Sequence, residues 1–515
     1  MGFVPQFQYF NTKLALTCSL IAFSSFNYGF DNQGFATSQA MDAFTRRFGV
    51  FIAKQGKYVL EPYWLSLFNS LNYIGFAAGV IIGSLISKRY GRRMCVFCMS
   101  CYALITATIA VTSANREQIM AARILNYCYV GMELAVIPTY QSEIVPSQVR
   151  GFIVGTYQLS LLTGGLIVNS ICRGTSELKD DRAWRIPLGM FYVVPSIILS
   201  LIWFVPESPR WLLLQGHNED AKASLQKLRE GAFSQNDIDS EFEELKYALE
   251  MEEEKGKFSQ IFRGNHLKRT LLVIVVNFFQ QATGQAFASQ YGTIYVKSLG
   301  TINAFNFSLI LAAVNITACT MCLFMVDRVG RKRLLLIGAA VQCAALMTMG
   351  GLGTPKPVTH SYKIGIVSSL ALMTAGFSLA WAPLTYVVTT ELPTLRLRDH
   401  TLRVGFVVNV VMNFAVNFSI PYLISPQYAG LDSKVGFIFG TIAFLALIFT
   451  WLFVPECKGK SLEQVDMMFN SGVPLRNFGS YQFQGPVTAG EQKNLNVKQN
   501  FHVAEAQKNF DSSQP

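Results

Sequence analysis

Neutral hydrogen-bonding groups interrupt the apolar stretches of this chain. Gln158, Gln280, Gln281, Gln285, Asn315, Asn409, Asn413 and Asn417 all fall inside runs of Leu, Ile, Val, Phe and Ala. A carboxamide carries both donor and acceptor, so a wall of amides suits a solute whose hydroxyls do the same. It also brings no net charge into an apolar setting. Gln281 and Gln285 are four residues apart, as are Asn409 and Asn413, so each pair shares one helical face. Amides also bond one apolar helix to another, and the residues alone leave both uses open.

Three ionisable residues lie equally deep in apolar sequence: Asp31, Arg123 and Glu133. A charge there is costly and by default faces the interior and finds a partner. Glu133, within Gly131-Met132-Glu133-Leu134-Ala135, reads as a proton-sensitive carboxylate, a substrate-facing one or an interhelical hydrogen-bond partner. Chemistry of other kinds is not expected. His217, His266, His360, His400 and His502 fall in loops, the tail or a span edge, without metal-ligand spacing. No phosphate-cradling Gly-Lys-Ser loop occurs, which disfavours an ATP-driven pump. Cys98/Cys101 and Cys319/Cys322 sit in apolar helical sequence and read as small hydrophobes rather than metal or redox pairs. The expectation is a protein that is no enzyme and carries no cofactor or metal.

The elements that hold these residues are membrane-spanning helices. The 515 residues are 51% hydrophobic and 15% charged, against about 25% charged in soluble chains, and mean hydropathy is +0.31. Apolar runs of roughly 20 residues match a bilayer core about 30 Å thick. Twelve are expected: 14–35, 63–86, 94–113, 118–140, 151–172, 186–205, 269–296, 304–326, 334–353, 363–389, 402–424 and 433–454. They define an all-α membrane protein with two six-helix bundles, 14–205 and 269–454. A short N-terminus (1–13), a helical cytoplasmic linker (206–268) and a mostly disordered cytoplasmic tail (455–515) complete the expected organisation. The net charge of +11 does not indicate nucleic acid. Lys88, Arg89, Arg92 and Arg93, and again Arg328, Arg331, Lys332 and Arg333, are wedged between apolar runs, as the positive-inside rule places them. The first apolar run lacks a small-residue cleavage site, so no cleavable signal peptide is expected. With an even span count both ends are expected in the cytoplasm. Asn306-Phe307-Ser308 is a glycosylation match of three residues only.

An internal repeat underlies the two halves. Tyr90-Gly91-Arg92-Arg93 recurs as Val329-Gly330-Arg331-Lys332, and Glu143-Ile144-Val145-Pro146 with Arg150 recurs as Glu391-Leu392-Pro393 with Arg396. Pro206-Glu207 recurs as Pro455-Glu456. Three motifs in one order at nearly one offset mark a duplicated six-span unit, and such transporters bind substrate between their repeats.

Six signatures give the chain its resemblance. They are Arg89-Tyr90-Gly91-Arg92-Arg93, Pro138-Thr139-Tyr140-Gln141-Ser142-Glu143 through Arg150-Gly151, and Pro206-Glu207-Ser208-Pro209-Arg210-Trp211-Leu212. Gln280-Gln281-Ala282-Thr283-Gly284, Asp327-Arg328-Val329-Gly330-Arg331-Lys332 and Pro455-Glu456-Cys457-Lys458-Gly459-Lys460-Ser461-Leu462-Glu463 follow. Over residues 10–465 the chain resembles sugar porters of the major facilitator superfamily, most of all the fungal members. The resemblance implies transport of a sugar or sugar-like solute by a monomer in the plasma membrane. It places Gln158, Gln280, Gln281, Asn315 and Asn413 at sugar-contacting positions, with Asn409 and the shifted amide Gln285 beside them. It implies a proton-coupling pair of Asp31 and Arg123. It also implies a gating network of Arg92, Arg93, Glu143, Arg150, Glu207, Arg210, Asp327, Arg331, Glu391, Arg396 and Glu456. Tyr386 stands where many members carry Trp, Val410 replaces another Trp, and Lys88 replaces an acidic or amide residue. Tyr386 and Trp381 are expected to stack on a sugar ring or to pack. A passive facilitator, an exporter of a small metabolite and a sugar sensor are the rival functions.

Overall fold

The computed structural model describes residues 11–53, 56–146, 150–251, 257–355, 357–460 and 462–481. Twelve long helices, spans 1 to 12, coincide with the twelve apolar runs. The first six are Thr12–Ser38, Pro62–Tyr90, Arg92–Val111, Arg116–Ile144, Arg150–Thr175 and Arg182–Phe204. The second six are Gly264–Leu299, Ala304–Val329, Arg331–Leu352, His360–Glu391, Arg398–Ile424 and Asp432–Phe453. Among the described residues, ten helices are long and apolar enough to cross a membrane. Spans 1 and 5, of 27 and 26 residues, complete the set. Helix starts follow local chemistry: the side chains of Asn11, Asn115 and Asn303 accept the first free N–H groups of spans 1, 4 and 8.

Packing between spans depends on close approach, because lipid is as apolar as a leucine side chain. Gly75, Gly79 and Gly83 form a stripe on span 2 that lets it lie against the backbone of span 4. A Cβ at Gly79 would stand 2.0 Å from the Cys128 carbonyl oxygen. Span 1 meets span 5 in the same way, Gly29 against the Leu161 backbone and Gly164 against that of Phe26. Gly79→Leu is therefore expected to force spans 2 and 4 apart. Its readout is a lower melting temperature in detergent and less protein reaching the membrane, with a cost of about 1–3 kcal/mol or more.

Several spans are not continuous: span 2 is interrupted at Leu71 and span 6 at Met190–Tyr192, and spans 7 and 10 break the runs expected over 269–296 and 363–389. Span 7 breaks between Ala282 and Gln285, where Gly284 adopts φ +84°. Span 10 passes through a π-helical turn, Phe377–Trp381, just before Pro383; proline has no N–H for the regular ladder. The loop after span 1 is also structured. A short helix, Asp42–Phe48, and an antiparallel hairpin of Val50–Ile52 with Lys57–Val59 fold over it. There Phe44 and Phe48 pack edge-on against Trp184.

Between the halves lie helices Pro209–Leu214, Asn218–Arg229 and Gln235–Met251 and the turn Phe258–Phe262. The linker is fastened to the first half. Arg229, fully buried, donates to the Ile144 carbonyl at 2.8 Å and grips Glu241 with two hydrogen bonds at 2.8 and 2.9 Å. After span 12, helix Leu462–Asn470 docks on the second half, where buried Arg269 bonds Asp466. The halves meet at the end remote from the linker. Ser66 donates to the Phe418 carbonyl (2.9 Å), Lys297 pairs with Asp42 (2.7 Å), and Arg173 donates to Asn306 (2.6 Å).

Candidate functional site

A cleft of about 570 Å³, part of it continuous with solvent, opens between spans 1 and 5 of the first half and spans 7, 8 and 10 of the second. Asn32, Gln33, Gln285, Ser289, Thr293 and Asn315 supply most of its polar wall. Asn315 is held in place by a hydrogen bond from Ser378, on the π turn of span 10. The break at Gly284 sets where the cleft-facing residues of span 7 point, since Gln281 and Gln285 lie on opposite sides of it. A Cβ at Gly284 would stand 2.4 Å from the Phe439 ring, so the break packs directly against span 12.

The amides of spans 7 and 11 form a network around Asn409 and a separate pair, Asn413 with Asn417. Asn409 Nδ2 donates to Gln280 Oε1 at 2.5 Å, and its Oδ1 accepts from Gln281 at 3.1 Å. Asn277 makes a longer contact to Asn409, 3.4 Å, and Asn417 donates to Asn413 Oδ1 at 2.6 Å. The amides around Asn409 bond helix to helix, and of the sequence-predicted set Gln285 and Asn315 line the cleft. Gln158 is half-buried on span 5. Tyr386 is 42% exposed and stacks obliquely on Phe406 at 5.9 Å. For Trp381 the structure shows packing, the second of its two expected uses. It is fully buried, and its indole N–H donates to the Leu335 carbonyl at 3.2 Å, so it packs into the wall of the second half.

Asp31 and Arg123 meet inside the first half. Arg123 Nη1 donates to Asp31 Oδ2 at 2.7 Å, with the two side chains 4% and 5% exposed. The guanidinium carbon lies 4.0 Å from the Phe35 ring centre and 4.8 Å from that of Tyr127. Stacking of this kind suits the weakly hydrated, delocalised cation of arginine. Glu133 is apart from this pair. It is fully buried, and neither carboxylate oxygen has a hydrogen-bond partner among the described residues.

On the linker face the repeat builds two matching clamps. Arg92 forms a two-pronged pair with Glu143, both bonds 2.8 Å, while Glu207 accepts the backbone N–H groups of Arg92 and Arg93 at 3.0 Å. Arg331 pairs with Glu391 at 3.1 Å, and Glu456 accepts the backbone N–H groups of Arg331 and Lys332 at 3.0 and 3.1 Å. In each clamp a carboxylate caps a helix start, where the free N–H groups and the helix dipole favour negative charge. Gly91 (φ +94°) and Gly330 (φ +101°) make this approach possible. Burial pushes the Glu207 carboxyl up, and hydrogen bonds from the backbone N–H groups of Ser208, Arg93 and Arg92 oppose that shift. The Arg93 guanidinium lies over Trp203 at 5.5 Å. Arg210 is half-buried and Arg396 exposed. The side chains of Arg150 and Asp327 lie outside the described residues.

Asn32 and Gln33 line the cleft, Asn277 bonds Asn409 behind it and Gln290 bonds Asn32 outside it; all four are absent from the sequence-based set. Each is an amide within a span, the same signal that identified the others, but none lies in a family signature.

Residues 17–469 match the family described as Sugar (and other) transporter. The hexose transporter HXT9 of Saccharomyces cerevisiae is 29% identical over 485 residues, covering 91% of this chain and 85% of that protein. The low-affinity glucose transporter HXT3 of the same yeast is 29% identical over 473 residues, 89% and 82%. Among solved structures, the inward open conformation of the xylose transporter XylE from E. coli superposes with a TM-score of 0.72 at 21% identity, covering 88% of this chain and 99% of that one. The proton:xylose symporter XylE bound to 6-bromo-6-deoxy-D-glucose gives 0.70 at 22%, covering 89% and 99%. With the duplicated six-span bundles, the amide-walled cleft and a family match over most of its length, this chain is a multi-pass membrane protein belonging to the sugar transporter family.

Proposed function

We propose that this protein imports a sugar or a similar polyhydroxylated solute together with a proton, by alternating access across the plasma membrane. The observation that carries the proposal is the buried Asp31–Arg123 pair lying in the half that faces a neutral, amide-walled cleft. Gln158, Gln280, Gln281, Gln285, Asn315, Asn409, Asn413 and Tyr386 are assigned to the solute, whose hydroxyls exchange donors and acceptors with the amides. Trp381 supports that wall from behind. Asp31 takes the proton, Arg123 sets its acidity by opposite charge, and Glu133 is a separate buried acid in the same half. The basic loops assign the linker face to the cytoplasm, which makes the present arrangement, closed at the far end, inward-facing. The clamps of Arg92, Glu143 and Glu207 and of Arg331, Glu391 and Glu456 belong to the inner gate, with Arg93, Arg150, Arg210, Asp327 and Arg396 around them. The named relatives, hexose and glucose transporters, and the neighbour titled a proton:xylose symporter support this reading.

Uptake of labelled hexoses, disaccharides, polyols and quinate into cells lacking their own carriers tests it, at acidic and neutral pH, for wild type and Asp31→Asn. The expected result is accumulation that is steeper at acidic pH, collapses with an uncoupler and is lost in Asp31→Asn. The sign follows from the role: a carboxyl that must bind a proton outside does so more often as external pH falls. Uptake indifferent to pH, uncoupler and Asp31→Asn would instead identify a passive facilitator.

A further inference from the structure

Asn32 stands next to Asp31 in sequence, yet its side chain takes part in a different contact. Its Oδ1 accepts two hydrogen bonds, from the Tyr127 hydroxyl at 3.1 Å and from Gln290 Nε2 at 2.6 Å. A carbonyl oxygen has two lone pairs, so this one is saturated. The two donors come from different halves: Tyr127 from span 4, Gln290 from span 7. Tyr127 also presents its ring face to the Arg123 guanidinium, 4.8 Å away, and Arg123 is the partner of Asp31. An unbroken series of contacts therefore runs from Asp31 through Arg123, Tyr127 and Asn32 to Gln290.

The segment that receives it is the one that closes the far end. Gln290 lies on Gln285–Leu299, the part of span 7 beyond the break at Gly284. That segment carries Gln285 into the cleft and holds Lys297 against Asp42 at the rim. The Asn32–Gln290 contact joins the halves one residue along the chain from Asp31, with Gln290 only 7% exposed.

We propose that Tyr127, Asn32 and Gln290 form a relay that makes the charge state of Asp31 and the closure of the far end depend on each other. Tyr127 and Gln290 are positioning residues in this scheme. Protonation of Asp31 frees Arg123, the cation leaves its seat over the Tyr127 ring, and the hydroxyl that shares the Asn32 acceptor with Gln290 moves with it. Coupling is reciprocal, so opening of the Gln290 contact equally alters the hold of Arg123 on Asp31. The titratable and charged groups gathered around the relay are Asp31 and Tyr28 from span 1, Tyr73 from span 2, Arg123 and Tyr127 from span 4, and Tyr291 from span 7. Tyrosine and arginine ordinarily hold one charge state near neutral pH; Glu133, the other acid near Tyr28, makes no hydrogen bond among the described residues, so Asp31 is the acid joined to the series.

The relay rests on the reading of Asp31 as the proton site, and one experiment separates the two. Tyr127→Phe keeps the ring under Arg123 and removes only the hydroxyl; Gln290→Leu removes the donor across the interface. Steady-state sugar accumulation at acidic external pH is compared with sugar counterflow, an exchange that needs no proton gradient, for wild type, both variants, their double and Asp31→Asn. Each single variant is expected to lower accumulation at least about fivefold, the low end of ordinary site-to-site coupling. Counterflow should stay near wild type, and the double should fall no further than either single. Either variant alone decides if the other fails to reach the membrane. Wild-type accumulation in a variant with Asp31→Asn inactive, parallel loss of accumulation and counterflow, or multiplicative losses in the double would each overturn the relay. A wild-type protein that does not accumulate sugar at all would remove the proton reading beneath it.

Discussion

Arg123→Leu is expected to cost about 3–5 kcal/mol of stability and all transport, whereas changing both members, Asp31→Asn with Arg123→Leu, recovers most of the stability. The asymmetry comes from burial. With side chains 4% and 5% exposed, neither Arg123 nor Asp31 has water to fall back on. Removing the cation alone leaves a carboxylate in a low-dielectric interior, and the structure must either protonate it or deform. Removing both leaves a neutral amide beside an aliphatic chain, which packs without an uncompensated charge. Transport is expected to divide differently from stability: the double variant should exchange sugar across the membrane but not accumulate it against a gradient. Thermal unfolding in detergent and paired accumulation and counterflow assays separate the two quantities. Equal instability of the single and double variants would mean that the pair is not held together by its charges.

Gly330→Ala and Gly91→Ala are the second large effect, at about 2–4 kcal/mol each. At both positions an added Cβ would stand 2.4 Å from a carboxylate oxygen, of Glu456 and Glu207 respectively. The backbone there is at φ +101° and +94°, where a side chain costs about 1–2 kcal/mol. Displacing the carboxylate also uncaps a helix, worth about 0.5–2 kcal/mol. The two sites are in different halves, so the double variant should lose the sum of the singles. Melting temperatures of the three variants in detergent check this. A double no worse than either single would show that the two clamps act as one unit.

The sequence predicted the spans well because their limits are physical: apolar runs end at charges, at asparagine caps or at the Gly-Arg turns, and each gives a local signal. The clamps were legible for the same reason, since a repeated glycine, arginine and glutamate must be doing the same work twice. Local patterns carry less about breaks and partners. Span 7 reads as one apolar run although Gly284 divides it, because the residues on both sides favour a helix. For Trp381 stacking and packing were equally open, and the residue packs in the wall on the π turn before Pro383, an irregularity that has no periodicity to betray it. Asn32 and Gln290 fall outside the sequence-based set because an amide within a span looks alike whether it faces a solute, a neighbouring helix or the other half. Only the pairing of spans 1 and 7 distinguishes them.

The linker is anchored at both ends, once on each half. Its first part is tied to spans 1 and 4 through Arg229 on Ile144 and Asn11 on the carbonyl of Glu230. Its last turn is tied to span 7, where Thr270 donates to the Ile261 carbonyl at 2.9 Å, and Phe258 meets the His400 ring of span 11 at 5.7 Å. The chain from Met251 to Phe258 can reach at most about 25 Å when fully drawn out. With one anchor on each half, the contour length of the linker sets an upper bound on how far the two anchored ends can stand from each other, a tether that lies outside the spans.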